Sequence, residues 1–158
     1  MQLCREIEAA TKARACTSVL ALNEVLDITH AKRIAVVSPY TPDVQARIIA
    51  NYASIGVDVV SEVHWSLADN FSFAEVDEPT IAAGIREVAR AKPDAIAIYC
   101  TNLRGAALAA DLELECGIPI YDTVSTAVWK SLSLCGQDPQ QINGWGRLFG
   151  TLQRKNHN

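Results

Sequence analysis

The sequence lacks a long apolar run, a stripe of basic residues and any stretch of low complexity or internal repetition. No apolar segment approaches the roughly 18 residues needed to span a membrane, and the first turns carry Glu6 and Glu8, which a signal peptide would not. Lys and Arg number 14 against 18 Asp and Glu, and no aromatic residues are interleaved with a basic patch. These absences predict a cytoplasmic protein that has neither a membrane nor a nucleic acid as a partner.

The motifs typical of metal and nucleotide sites are also missing. The five cysteines are widely spaced, and no Cys-x-x-Cys pair or histidine cluster suggests zinc, so reduced thiols are expected. No Gly-x-Gly-x-x-Gly stretch follows a predicted strand, and no Walker-type Gly-Lys-Ser/Thr stretch is present, which argues against a nucleotide. We therefore expect neither a zinc ion nor a nucleotide.

What the sequence does contain is an alternation of short apolar strands with helices. Strands are predicted at 33–38 and 57–63, up to Cys100, and at 118–121, with helices of 10 to 15 residues between them. This alternation predicts an α/β three-layer sandwich with a mostly parallel, flavodoxin-like sheet. A length of 158 residues suits one domain, which we place at 1–150, with a frayed tail at 151–158.

Caps and periodicity give the helix boundaries. Helices are predicted at 2–10, from Thr17 or Ser18, from Thr41 to Gly56, from Glu78, at 103–115, and from Asp122 or Thr123 to Gly136. Their predicted buried faces include Ile55, Ala107, Leu114, Val124, Val128 and Leu132. The segment 13–15 is predicted as a brief edge strand, 69–72 as a polar loop, and 144–149 as irregular.

The most informative stretch runs from Pro93 to Gly105 and contains Cys100, Thr101 and Asn102. An apolar strand leads into Cys100, and the helical pattern from Leu103 would place the cysteine on a strand-to-helix turn. The unpaired N–H groups of a helix start can stabilise a thiolate or bind a carboxylate. Cys100 is therefore a candidate nucleophile or proton-transfer base; the alternative is a small apolar residue that ends a buried strand.

A second turn follows the strand at 33–38 and contains Ser38 and Tyr40. Ligands of parallel sheets bind beyond the carboxyl ends of the strands, so this turn and the one after Tyr99 are expected to face one crevice. Tyr40 should then lie near Cys100. Without a nucleotide motif, the crevice is predicted to suit a small anion.

Four ordered stretches resemble the aspartate/glutamate racemase superfamily, and within it the branch of maleate cis-trans isomerases and arylmalonate decarboxylases. They are RIAVVSPY at 33–40, CTNL at 100–103, GIPI at 117–120 with AVW at 127–129, and GWGRLF at 144–149. The resemblance extends over nearly the whole chain and implies a single lobe of the racemase fold.

The resemblance also implies a cofactor-independent isomerase or racemase of small dicarboxylic acids such as maleate. Cys100 and Tyr40 match the catalytic positions, the thiol exchanging a proton with carbon or adding to it and the phenol binding a carboxylate. The implied substrate contacts are Ser38, Thr101, Asn102 and Asn70.

The sequence departs from the family pattern at its start. Family members have two lobes, and this chain is expected to begin near the end of the first, without that lobe's cysteine; Cys16 is a poor match to it. We therefore expect a homo-oligomer, or a partner that supplies the other lobe. The alternatives are an inactive carboxylate-binding module, a decarboxylase of malonate-type acids, or a flavodoxin-like or response-regulator-like signalling domain. Against the signalling domain, this sequence has no acidic cluster after the first strand.

Overall fold

The computed structural model describes residues 2–151 as a four-stranded sheet with helices on both faces. The strands are β1 (Arg33–Ser38), β2 (Asp58–His64), β3 (Ala95–Ile98) and β4 (Ile120–Asp122). The helices are α1 (Gln2–Thr11), α2 (Ser18–Ile28), α3 (Pro42–Ser54), α4 (Asn70–Glu75), α5 (Glu78–Ala89), α6 (Ala109–Cys116), α7 (Thr123–Leu134) and α8 (Arg147–Thr151). Single 3₁₀ turns cover Ala106–Leu108 and Pro139–Gln141.

The four strands run parallel in the order β2-β1-β3-β4. Val37 of β1 pairs with Ile98 of β3, which pairs with Asp122 of β4. The carboxyl ends of these three strands therefore meet at one edge of the sheet. The predicted α/β three-layer architecture is confirmed, and β2 lies at the edge of the sheet, as its partial alternation indicated.

Apolar side chains fill the layers on both sides of the sheet. Ile34 and Val36 face one layer, with Leu22 of α2, and Ala35 and Val37 face the other, with Ile81 of α5. All are fully buried, and each Leu, Ile or Val removed from water in this way contributes about 1.5–3 kcal/mol before entropy is counted. The apolar middle of β1 thus sets it in the centre of the sheet.

Several predicted helix boundaries are confirmed. Thr17 caps α2 by accepting from the Leu20 N–H at 3.1 Å, and Asp122 caps α7 by accepting from the Val124 N–H at 2.7 Å. Pro42 begins α3, where its missing N–H costs nothing. In α2 and α7 a side chain satisfies the first free N–H groups, whereas Thr41 before α3 makes no side-chain capping hydrogen bond.

Three predictions of local structure are wrong. The segment 13–15 forms no strand, and its Ala15 N–H donates to Glu8 at 2.9 Å. The predicted polar loop is the start of α4, because the Asp69 carboxylate accepts from the N–H groups of Phe71 and Ser72. The helix predicted from Leu103 begins only at the 3₁₀ turn that starts at Ala106.

The segment 144–149, predicted to be irregular, contains the first three residues of α8, of which Leu148 and Phe149 are buried. Glu113, itself buried on α6, explains the position of this segment. One of its carboxylate oxygens accepts from the Ile120 N–H at 2.8 Å and the other from the Arg147 N–H at 2.7 Å. A Cβ on Gly146 would lie 3.0 Å from that carboxylate, so glycine permits the approach.

The predicted buried faces of three helices are partly wrong. Leu114 is 83% exposed, and Ile55, Ala107, Val124 and Val128 are exposed as well. The buried face of α7 consists instead of Thr123, Ser125, Thr126 and Trp129. Thr126 donates to the Ser18 carbonyl at 3.2 Å, so close packing against α2 selects small hydroxyl residues over the valines.

Of the tail predicted at 151–158, Thr151 is the last residue of α8 and 152–158 lie outside the described residues. The domain boundary at 150 stays a prediction. Within residues 2–151, no helix has both the length and the apolar character that crossing a membrane requires.

Candidate functional site

The candidate site lies at the carboxyl edge of the sheet, where the chain leaves β1 and β3. The Tyr99 N–H donates to the Val37 carbonyl at 2.8 Å, which extends the pairing of the two strands to the residue before Cys100. On the other side of β1, the Ser66 N–H donates to the Tyr40 carbonyl at 3.1 Å. These backbone bonds hold the two predicted catalytic residues on neighbouring strand ends.

The side chains of Tyr40 and Cys100 meet, as the topology predicted. Burial raises the pKa of the Tyr40 phenol well above its usual value, and the hydrogen bond with Cys100 and the thiolate charge raise it further. The phenol is therefore neutral over the physiological pH range and able to donate. Cys100 is 6% exposed and packs with Ile98 and Leu103 in the apolar layer.

The backbone donor at the sulfur differs from the one that the sequence predicted. The Asn102 N–H donates to Cys100 Sγ at 3.3 Å. The first helical turn starts at Ala106, so the start of a helix does not directly follow Cys100 and the predicted helix-terminus effect is wrong. The reason lies at Gly105, where the backbone passes so close to β3 that a Cβ would lie 2.8 Å from the Ile98 side chain. The helix begins only after this close approach.

Helix α4 links the two predicted catalytic residues. Its Phe73 is buried and packs edge-on against the Tyr40 ring, with 5.4 Å between the ring centroids. Its Asn70 carbonyl accepts a hydrogen bond from the Asn102 side-chain amide. Asn70 and Asn102 are therefore brought together as parts of one surface, both exposed.

The other two predicted contacts lie in different environments. Thr101 is exposed in the turn beside Cys100. Ser38 is fully buried, and its hydroxyl donates to Gln45 Oε1 on α3 at 2.7 Å. Gln45, which sequence reasoning missed, is buried as well. A glutamine one turn into a helix that follows a strand carries no signal of burial by itself.

A buried carboxyl group at the end of β4 is the other feature that the sequence did not reveal. Asp122 Oδ1 caps α7, while Oδ2 has no hydrogen-bond partner among the described residues. Burial raises the pKa of this carboxyl to about 6, against the opposing effect of the two capping N–H groups. The sequence predicted the cap, but not that the side chain would be fully enclosed.

Cys100 is nearly buried, and the anion-sized cleft beside it stays a prediction. Three cavities of about 480, 270 and 250 Å³ lie elsewhere, and neither Cys100 nor Tyr40 lines any of them. Cys16 lines the largest, beside α1, where its sulfur is 3.9 Å from Ser131 Oγ. In the described part of the chain, no three His, Cys, Asp or Glu residues are grouped as metal ligands would be.

A comparison with protein families matches residues 1–149 of the 158 to the family described as arylmalonate decarboxylase. This chain belongs to that family. Membership confirms the resemblance that the four ordered stretches indicated. The arylmalonate decarboxylase family includes enzymes, which weighs against the signalling alternative.

Maleate isomerase of Nocardia farcinica is 26% identical to this family member over 137 residues, in a match that covers 84% of this chain and 53% of that protein. The chain thus spans about half the length of this curated relative.

Solved structures confirm a racemase-type fold. The Nocardia farcinica maleate cis-trans isomerase, as a cysteine-to-serine mutant with a covalently bound succinylcysteine intermediate, has a TM-score of 0.86 at 23% identity, covering 96% of this chain and 64% of its own. A crystal structure of arylmalonate decarboxylase has a TM-score of 0.84 at 22% identity, covering 96% and 67%.

Proposed function

We propose that this chain isomerises small dicarboxylic acids such as maleate without a cofactor, using Cys100 and Tyr40. The observation that carries the proposal is the packing of Cys100 and Tyr40 in one apolar layer at the carboxyl edge of the sheet, where the phenol is neutral. Family membership and the similarity to a maleate isomerase support the same substrate class.

The chemistry needs a nucleophilic sulfur and a donor at a carboxylate. A thiolate adds to one carbon of the double bond, so a sulfur–carbon bond forms as the π bond breaks and negative charge passes to the adjacent carboxylate. The Tyr40 hydroxyl can stabilise that enediolate-like charge. Rotation about the new single bond and expulsion of the thiolate then give the trans acid. The succinylcysteine in the Nocardia farcinica relative is an adduct of this kind.

The exposed residues of the turn and of α4 are the proposed substrate contacts. Thr101, in the turn, and Asn70, at the start of α4, are both exposed. Ser38 would have to release Gln45 before it could contact a ligand. We retain these three and Asn102 as proposed contacts, with Thr101 and Asn70 the better placed.

We further propose that a second copy of the chain, or a partner chain, covers this edge in a cytoplasmic complex. Phe71, next to Asn70, is 81% exposed, and Trp145 is 44% exposed, which is costly for large apolar side chains in water. Light scattering coupled to size exclusion distinguishes a self-associated form from a monomer.

Replacement of the sulfur tests the isomerase proposal. Wild-type protein should convert maleate to its trans isomer, followed by proton NMR, and Cys100→Ala should abolish conversion. Cys135→Ser is the matched control, since Cys135 is an exposed thiol at the end of α7. Full activity in Cys100→Ala would reject the assignment.

Decarboxylation of a malonate-type acid is the second candidate, favoured by the matching family itself. Here carbon dioxide leaves with cleavage of a carbon–carbon bond, and the Cys100 thiol protonates the resulting carbanion. Release of carbon dioxide from phenylmalonate, lost in Cys100→Ala, would identify this reaction. Thermal stabilisation by both acids with turnover of neither would instead indicate a carboxylate-binding module.

A further inference from the structure

We propose that Asn102 is a positioning residue for Cys100, whose side-chain bond to α4 holds its own backbone N–H against the sulfur. The inference rests on the proposed function only in treating Cys100 as the reactive thiol. Two contacts of the same residue carry it: the N–H donates to Cys100 Sγ at 3.3 Å, and the side-chain amide donates to the Asn70 carbonyl.

The backbone contact matters because of where the helix begins. The residues after β3 form a turn, in which the Leu103 N–H donates to the Cys100 carbonyl at 3.2 Å. Helical residues start only at Ala106. The sulfur therefore depends on the Asn102 N–H for a backbone hydrogen bond, which a thiolate accepts more strongly than a thiol does.

The side-chain contact explains how an exposed turn keeps that geometry. Asn102 is exposed, so packing alone cannot hold its peptide group in place. Its partner is rigid, because the Asp69 carboxylate caps α4 and Phe73 fixes the helix on Tyr40. The hydrogen bond from the Asn102 side-chain amide thus links the turn to α4, which already contacts Tyr40.

The atoms that form this contact allow positioning and substrate binding to be tested separately. Asn102 bonds to the backbone carbonyl of Asn70, not to its side chain. Asn70→Ala therefore keeps the acceptor while it removes the proposed substrate contact. A positioning role and a substrate-binding role can be distinguished by substitution at these two positions.

The test is the pH dependence of Cys100 alkylation by iodoacetamide, followed on the Cys100 peptide by mass spectrometry. Asn102→Ala should move the midpoint of the profile upward by about 0.5–1 pH unit, so that alkylation at pH 7 slows roughly three- to tenfold at an unchanged high-pH plateau. Tyr40 on the neighbouring turn is unaltered in every variant. Asn102→Asp, which adds a negative charge and removes the donor, should move the midpoint at least as far.

Two control variants define the outcome. Asn143→Ala removes an exposed amide that donates to the Gln141 carbonyl at 3.2 Å within its own segment, and should leave the midpoint in place, as should Asn70→Ala. The proposal is overturned if both Asn102 variants keep the wild-type midpoint, or if Asn143→Ala shifts it equally. Because alkylation requires no substrate, failure of maleate turnover would not affect this result.

Discussion

The ends of β3 and β4 each carry a buried titratable group, but the two groups have different surroundings. Cys100 contacts the Tyr40 phenol from the turn after β1 and the Asn102 N–H from its own turn. Asp122 Oδ1 accepts hydrogen bonds from the N–H groups of Val124 and Ser125 in the helix that follows it, and Oδ2 has no hydrogen-bond partner among the described residues. Groups from several elements therefore surround Cys100 after β3, whereas Asp122 at the end of β4 caps a single helix.

Under the proposed function, this difference indicates how one sheet edge serves both chemistry and folding. Reactive chemistry requires groups from separate elements around one atom, which the neighbouring ends of β1 and β3 provide. A cap requires only the following residues. Gly105 lies between the two ends, since a Cβ there would meet the Ile98 side chain at 2.8 Å and Asp122 Oδ2 at 3.6 Å.

The largest expected effect comes from removing the donor at the Cys100 end. Tyr40→Phe should lower turnover of maleate about 10²–10³-fold, because it deletes a donor to developing negative charge. Stability should change little. Steady-state kinetics together with urea unfolding measure both quantities, and Tyr121→Phe, a buried phenol on the opposite layer, is the control. Equal losses of turnover in Tyr40→Phe and Tyr121→Phe would mean that Tyr40 has no special role beside Cys100.

At the β4 end, the expected effect is on stability and pH. Burial raises the Asp122 carboxyl pKa to about 6, above its value in the unfolded chain. The folded protein therefore takes up this proton first as the pH falls. The contribution of the group to stability is full below about pH 4 and lost as the pH rises through about 6.

Urea unfolding of wild type and Asp122→Asn at pH 4 and pH 7 checks this sign. The stability of wild type relative to the variant should be higher at pH 4 by about 2–3 kcal/mol. Asp77→Asn is the control, because its pKa is lowered by Thr80 rather than raised. A difference that does not vary with pH would mean that the Asp122 carboxyl is solvated in the folded protein.

A methyl group between the two ends should disturb both. Gly105→Ala places a Cβ against the Ile98 side chain, and such overpacking costs about 1–3 kcal/mol in stability. Gly150→Ala is the matched control, because a Cβ there meets no atom within 4 Å. Thermal unfolding followed by circular dichroism measures the loss, and equal melting temperatures for the two variants would contradict it.

The smallest effect is expected from loosening α4. Asp69→Ala removes the cap of this helix and should cost about 1 kcal/mol locally, seen as faster amide hydrogen exchange over 69–75 and at Asn102. Asp77→Ala removes a similar cap from α5 and should leave exchange at Asn102 unchanged. If the two variants act alike at that position, α4 does not support the Cys100 turn.

Part of the site could be predicted because it follows from topology. Tyr40 and Cys100 each follow an apolar strand, and the carboxyl ends of adjacent parallel strands must lie side by side. The role of Asn102 could not be predicted, because its partner is a backbone carbonyl 32 residues away, on a helix that the sequence pattern indicated to be a loop.

By itself, the sequence determined the strands, their parallel direction and most helix caps, because these depend on local hydrogen bonding and on apolar runs. Only the tertiary structure decided which face of α7 is buried, where the helix after Cys100 begins and how far Asp122 is enclosed. Each of these depends on the close approach of distant segments, such as α2 against Thr126 or Gly105 over Ile98. The spacing of residues along one segment does not indicate which distant segment will approach it.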